Sequence, residues 1–333
     1  MRLRSSKVAY VSSSDDKSSS SNVSSEWPNA IVKQADKNGI CLCTSNELPS
    51  WHFQHRGIAS GYRYCHSVNS AISSLKYWHN ESINMWMHYI AAISLFLYFL
   101  YRFDFSILNN NKFDGYLVII VTIIGNVIPM FASAFCHNFY CVNKNLHKFC
   151  WFFDFWAILT SMLVGGIGYL YFSFYCNPNV VRYGIGIYIG LYLYFWHWCW
   201  VRYSKRLDQD ILQPRDRFPE FSFSLSSFIT FVSFIPVGMT WLFKEEYIND
   251  IDFYNVQFQC TFSPILLSLG VVLFAQGGVP ERFTGVLGLN KHFFDMIGHS
   301  HQCWHLCTAM VMFGLLDALV RHCELRDQRG CSL

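Results

Sequence analysis

Charge is what this chain has least of. Lys, Arg, Asp and Glu together make up 14% of its 333 residues, where an ordinary soluble domain has about 25%. With 52% hydrophobic and 18% aromatic residues and a mean hydropathy of +0.21, two soluble domains are excluded, although the length would allow them. A basic run long enough to follow a nucleic-acid backbone is also missing, and the net charge is only +3, so nucleic acid is excluded as a partner. The thirteen cysteines are scattered, without repeated pairs at zinc-finger spacing, so no soluble disulfide or zinc framework follows. There is no early apolar leader: the first apolar run starts near residue 84, too late for a cleavable signal peptide.

What the chain does have is apolar runs that reach the ~20 residues needed to cross a bilayer. The expected fold is all-α and polytopic, a seven-transmembrane-helix bundle with spans near 84–101, 115–139, 150–176, 181–203, 221–243, 259–278 and 296–320. Residues 1–45 contain "SSSDDKSSSSNVSSEW" and few apolar groups, which predicts a disordered tail. Residues 46–83 form a juxtamembrane segment in which Val68, Ile72, Leu75 and Trp78 fall at helical spacing, the pattern of a short amphipathic helix on a membrane surface. The membrane domain then runs over 84–320, and 321–333 is a short C-terminal tail.

Orientation follows from the positive charges between spans. With the N-terminus cytoplasmic, the cytoplasmic loops hold Lys144, Lys148, Arg202, Lys205, Arg206, Arg215, Arg217, Arg282 and Lys291, nine in all. The opposite loops hold four: Arg102, Lys112, Arg182 and Lys244. Arg321, Arg326 and Arg329 count the other way. On this topology Cys176 and Cys260 fall near the outer ends of spans three and six, where an oxidising compartment would let them pair. The Asn80-Glu81-Ser82 glycosylation pattern falls on the cytoplasmic side, where it is not used.

The same topology brings polar residues of three spans to one depth. Span two closes with "SAFCHNFY", placing Ser133 and His137 one turn apart; span three opens with Asp154 inside "WFFDFWAI"; span seven opens with His301 and His305, again i and i+4. Ionisable groups at membrane depth are costly and mark function by default, and residues four apart share a helix face. Three histidines suit Zn²⁺ with a fourth position left open. Ser133 can hydrogen-bond a water there, and Asp154 can orient that water or accept its proton. The competing reading is a polar cluster that only ties helices together. Other histidines read as structural: His88, with Asn84 at the start of span one; His197 in an aromatic belt; His299 on a different helix face from His301; His79 and His147 in loops.

"GIASGYR" (57–63), "HNESINMWMH" (79–88), "SAFCH" (133–137), "FFDFWAI" (152–158) and "FFDMIGHSHQCWH" (293–305) resemble the progestin and adipoQ receptor family, and "VPERF" (279–283) resembles its membrane progestin receptor branch. The likeness runs from about residue 47 to 320, with Ser82 and Met87 standing where many members carry threonine. It implies seven helices with a cytoplasmic N-terminus and a zinc ion held by His137, His301 and His305, with Ser133 and Asp154 as accessory groups. Some members of that branch carry an eighth span, for which no room is expected here. The implied function is a plasma-membrane receptor for a steroid or other lipid-like ligand, read by cytoplasmic signalling partners. The alternative is a zinc-dependent hydrolase of lipid amides such as ceramide, with Asp154 and Ser133 as its catalytic pair.

Overall fold

The computed structural model describes residues 27–55, 57–110, 112–207, 218–242, 251–275, 278–290 and 292–331. The serine-rich stretch before residue 27, and Arg215, Arg217, Lys244 and Lys291 of the charge count, lie outside them. Order begins well before residue 46. Pro28, which lacks an N–H, precedes a short helix α1 (Asn29–Gln34), and strand β1 (Ile40–Cys43) pairs antiparallel with β2 (Tyr62–Cys65), Ile40 opposite Cys65. Trp27 packs edge-on against Trp51 and Tyr64 and donates its indole N–H to the Cys141 carbonyl 3.1 Å away. Such local packing of aromatics that are sparse and far apart in sequence carries no periodic signal, and the expected tail therefore extended too far.

Helix α2 (Val68–Ser73) starts at Ser67, whose hydroxyl accepts from Ser70 N–H, and leaves Val68, Ile72 and Trp78 half exposed. Among the described residues nothing covers the outer half of these three side chains, as an apolar stripe lying on a membrane surface requires. The expected stripe is only partly formed: Val68 and Ile72 share α2, but the helix stops at Ser73 and Trp78 follows the extended Tyr77.

Helix α3 (Ser82–Arg102) turns Asn84, Met85, His88, Ala92, Leu95 and Phe99 inward and leaves Ile90, Ile93, Leu97 and Leu100 exposed. Its apolar residues occupy both faces, which identifies a helix surrounded by protein on one side and lipid on the other. Helices α4 (Ile107–Asn110) and α5 (Lys112–Ile120) lead into a π-helical turn at Val121–Val127 and then α6 (Ile128–Phe139). Pro129 explains the wide turn: it cannot donate to the Gly125 carbonyl four residues back, and its ring would collide with that oxygen. The stranded carbonyl accepts the hydroxyl of Ser161 on α7 (Lys144–Ser173) instead, as a backbone group without water must.

Helices α8 (Pro178–Leu207), α9 (Phe218–Leu242), α10 (Ile251–Ala275) and α11 (Ser300–Arg329) complete the bundle. Among the described residues five helical stretches are long and apolar enough to cross a membrane: 82–102, 113–139, 144–173, 254–274 and 300–329. The chain is an integral membrane protein. In lipid, dehydration adds little to helix association, so close fit matters. At Gly270 a Cβ atom would meet Cys307 at 2.8 Å, which makes glycine the residue that lets α10 lie against α11.

Helix α11 continues to Arg329, nine residues beyond the expected span, because Arg326 is buried and donates to the Phe172 and Ser173 carbonyls at the end of α7. This continuation changes the expected disulfide. Cys176 pairs with Cys331, while Cys260 is a buried thiol inside α10. Trypsin digestion without reductant is expected to yield a cross-linked peptide joining residues 176 and 331, with Cys260 alkylated only after denaturation; a Cys176–Cys260 peptide would show the pairing to be wrong.

Candidate metal centre

The end of α6, the start of α7 and the start of α11 meet at one end of the bundle. Four buried imidazoles gather there, from His88, His137, His301 and His305. His137 Nε2 lies 3.4 Å from His301 Nε2, and the His305 ring centre lies 4.8 Å from that of His137 and 4.3 Å from that of His301. Nitrogens of His88, His137 and His305 all fall within 4.8 Å of one another, a group able to hold a metal ion.

The donor set fits a tetrahedral metal on two observations. Two imidazole nitrogens bound to one Zn²⁺ at 2.0–2.1 Å stand roughly 3.3–3.4 Å apart, the separation already present between His137 and His301. His305 Nε2 is buried without a protein partner among the described residues, although an orphaned buried nitrogen costs ~1–3 kcal/mol. Asp154 and Ser133 are buried beside this group: Asp154 Oδ1 has no hydrogen-bond partner among the described residues, and Ser133 Oγ lies 3.3 Å from His88 Nε2. All five residues singled out from sequence are therefore buried together at one end.

The structure adds a carboxylate that sequence reading passed over as part of a glycosylation pattern. Glu81, at the entry to α3, is buried, with Oε2 2.8 Å from His137 Nδ1 and Oε1 2.5 Å from His55 Nε2. Asn84 and Tyr140 donate to it at 2.7 and 3.1 Å. Burial alone would raise the Glu81 carboxyl, but His137 and His55 hold it well below the ordinary carboxylate range. Glu81 Oε2 stands where it can accept a hydrogen bond from His137 Nδ1–H, a tautomer that turns the Nε2 lone pair toward His301, the usual support for a metal-binding imidazole.

The N-terminal segment closes the site. His55 packs edge-on against His301 with ring centres 4.8 Å apart. Arg63, fully buried on β2, donates to the His137 carbonyl and, at 2.9 Å, to the Asn138 carbonyl, satisfying the exposed end of α6. Ser60 and the Ala59 N–H donate to Asp295 at 2.5 and 3.0 Å, just before α11. Glu281 accepts from the N–H and hydroxyl of Ser300, placing a carboxylate at the positive end of α11. This cover also corrects two expectations: His79 and His147 are buried, not in exposed loops.

Further along the bundle, a cavity of ≈ 110 Å³ lies between α7, α8, α9, α10 and α11. Its walls are mainly apolar, among them Val232, Leu267 and Val311, with Asn126, Ser161 and His322 as polar points.

A family model described as Haemolysin-III related matches residues 76–315. The chain is 24% identical over 302 residues to heptahelical transmembrane protein 1 of Arabidopsis thaliana, covering 86% of this chain and 82% of that one. It is 25% identical over 295 residues to human membrane progestin receptor gamma, covering 83% and 80%. It is 24% identical over 285 residues to the adiponectin receptor protein of Drosophila melanogaster, covering 82% and 57%.

Proposed function

This chain belongs to the haemolysin-III-related family, and we propose that it is a seven-helix membrane receptor in which His137, His301 and His305 hold a zinc ion and the helices enclose a lipid-like ligand. Relatives named as progestin and adiponectin receptors agree with the resemblance read from its motifs. The observation that carries the reading is the convergence of buried imidazoles with nitrogens left unspent, at one end of a lipid-facing bundle. A bound Zn²⁺ supplies Lewis acidity there. Glu81 orients His137, Glu281 orients the first turn of α11, and His55 and Phe53 exclude water from the N-terminal side.

A cytoplasmic N-terminus is supported by the thiol chemistry of the two ends. Cys176–Cys331 lies at the far end of α7, ~45 Å of helix away from the cluster, while Cys43, Cys65 and Cys141 remain thiols beside it. Disulfides persist in oxidising compartments and thiols in the cytosol, which fits a plasma-membrane protein read by cytoplasmic partners. The cavity supports a lipid tail more than a whole steroid. At ≈ 110 Å³ it is below the ~300 Å³ of small ligand sites, so fused rings would have to displace helices.

The second reading, hydrolysis of a lipid amide with ceramide as first substrate, is favoured by one observation: Asp154, whose Oδ1 is buried without a hydrogen-bond partner among the described residues, and Ser133 both lie at the histidine end of the bundle. Asp154 would accept a proton from water, and the Ser133 hydroxyl would donate to the developing oxyanion.

The cavity is tested by filling it. Ser263→Phe is expected to abolish saturable binding of radiolabelled fatty acid or ceramide by purified protein, with zinc content unchanged. Binding undiminished for both probes, or no saturable binding of either by wild type, would overturn the lipid-ligand reading.

A further inference from the structure

We infer that His88 is a positioning residue of the metal centre, selecting the tautomer of His305 that presents Nε2 to the ion; this rests on the zinc reading above. His88 lies on the inward stripe of α3, one turn after Asn84, and both of its nitrogens are engaged. Nε2 is 2.7 Å from His305 Nδ1 and 3.3 Å from Ser133 Oγ, whose hydroxyl can donate to it, and Nδ1 is 3.4 Å from Met130 Sδ on α6. A neutral imidazole has one N–H and one lone pair. Two lone pairs facing each other repel, so the nitrogen directed at the thioether carries the hydrogen, since sulfur can only accept. His88 Nε2 is then an acceptor, and the hydrogen in the 2.7 Å contact belongs to His305 Nδ1. That assignment leaves the lone pair of His305 on Nε2, the buried nitrogen without a protein partner.

The alternative makes His88 a ligand in its own right, since its nitrogens lie within 4.8 Å of those of His137 and His305. In that arrangement His88 Nε2 would have to give up His305 Nδ1, while His301, 3.4 Å from His137, would stay outside. The four histidines divide more economically. Three have a nitrogen to spare, and His88 spends both of its own. Two imidazoles are then oriented through Nδ1 by buried acceptors on α3 or at its entry: His137 by Glu81 and His305 by His88. The N-terminal turns of α3 act as a single template for ligands on two other helices, without binding the metal.

The test uses purified full-length protein loaded with Co²⁺, read by its visible d–d absorption and by chelator competition. His88→Ala is expected to weaken metal binding ~10–100-fold, the usual cost of losing an outer partner of a ligand. At saturating Co²⁺ it should keep the wild-type spectrum, because the ligands are unchanged. His88→Gln, whose side-chain carbonyl can accept the His305 Nδ1–H, should regain most of the affinity. If His88→Ala does not fold, His88→Gln against His88→Met makes the same comparison, an acceptor against none of comparable strength. Wild-type affinity in the variant without an acceptor, or a saturated spectrum altered as for a lost ligand, overturns the positioning role. His301→Ala is the control for a lost ligand and should change the spectrum. Wild-type protein without stoichiometric metal would sink the zinc reading and this inference together; a loaded wild type with a neutral His88 substitution sinks only the inference.

Discussion

Replacing His301 and His305 together by alanine should take purified protein from one equivalent of zinc per chain to less than about a tenth. Losing a partner behind a ligand costs ~10–100-fold in affinity, and removing two direct ligands costs more than that. What remains is His137, still held by Glu81 at 2.8 Å, with His88 nearby but engaged with Met130 Sδ. The variant should fold, because the N-terminal turn of α11 keeps its Glu281 contacts and α10 still packs through Gly270. Elemental analysis after size-exclusion chromatography reads the stoichiometry, and a second readout confirms the cause. A ligand that binds only the folded state stabilises it by RT ln(1 + [L]/Kd), so chelator should lower the melting temperature of wild type and leave that of the double variant unmoved. The single variants separate the candidate ligand sets. If His88, His137 and His305 hold the ion, His301→Ala alone retains it; if His137, His301 and His305 do, that single change already releases most of it.

The parts of this site that sequence makes legible are those that a helix writes into its own neighbourhood. His301 and His305, and Ser133 and His137, are four apart, and alternating span direction alone sends both pairs and Asp154 to one end. Glu81, Arg63 and His55 were invisible for the opposite reason. Glu81 meets His137 across 56 positions and Arg63 reaches the His137 carbonyl across 74, contacts that depend on the N-terminal segment folding back over the bundle. That fold is set by a short hairpin and a few aromatics, which have no period to read. His88 was discounted because a single histidine on an apolar helix is ambiguous until its neighbours are known. The bilayer was legible from composition, since residues such as Ile90 and Leu97 are apolar on a face left exposed by the described residues. The disulfide was misassigned because its partner depends on where α11 stops. That end is set by Arg326 bonding to the Phe172 carbonyl, a contact 154 positions apart.

Asp154→Ala divides receptor from hydrolase, and the expected result under hydrolysis is a loss of ~10²–10⁴-fold in ceramide turnover, the usual contribution of a positioned acid–base group, with zinc content and lipid binding kept. The geometry makes the division clean. Asp154 is on α7, not on the ligand-bearing α6 and α11, and its Oδ1 is buried without a hydrogen-bond partner among the described residues. With Oδ1 already lacking a partner, alanine removes a buried polar group without stranding several others, so the folded state should not suffer by more than ~1–3 kcal/mol. Ser133→Ala supplies the matching measurement. If the hydroxyl stabilises charge that appears only as the amide carbonyl is attacked, kcat falls and KM stays near its wild-type value. If it only fixes Asp154, both variants fall in parallel and the double variant is no worse than Asp154→Ala alone. A wild type that releases no fatty acid from ceramide, while binding zinc and lipid, assigns the Ser133–Asp154 pair to holding α6 against α7. Ligand-dependent signalling that persists in Asp154→Ala would then show that the receptor works through helix position, with the metal bracing α6 to α11.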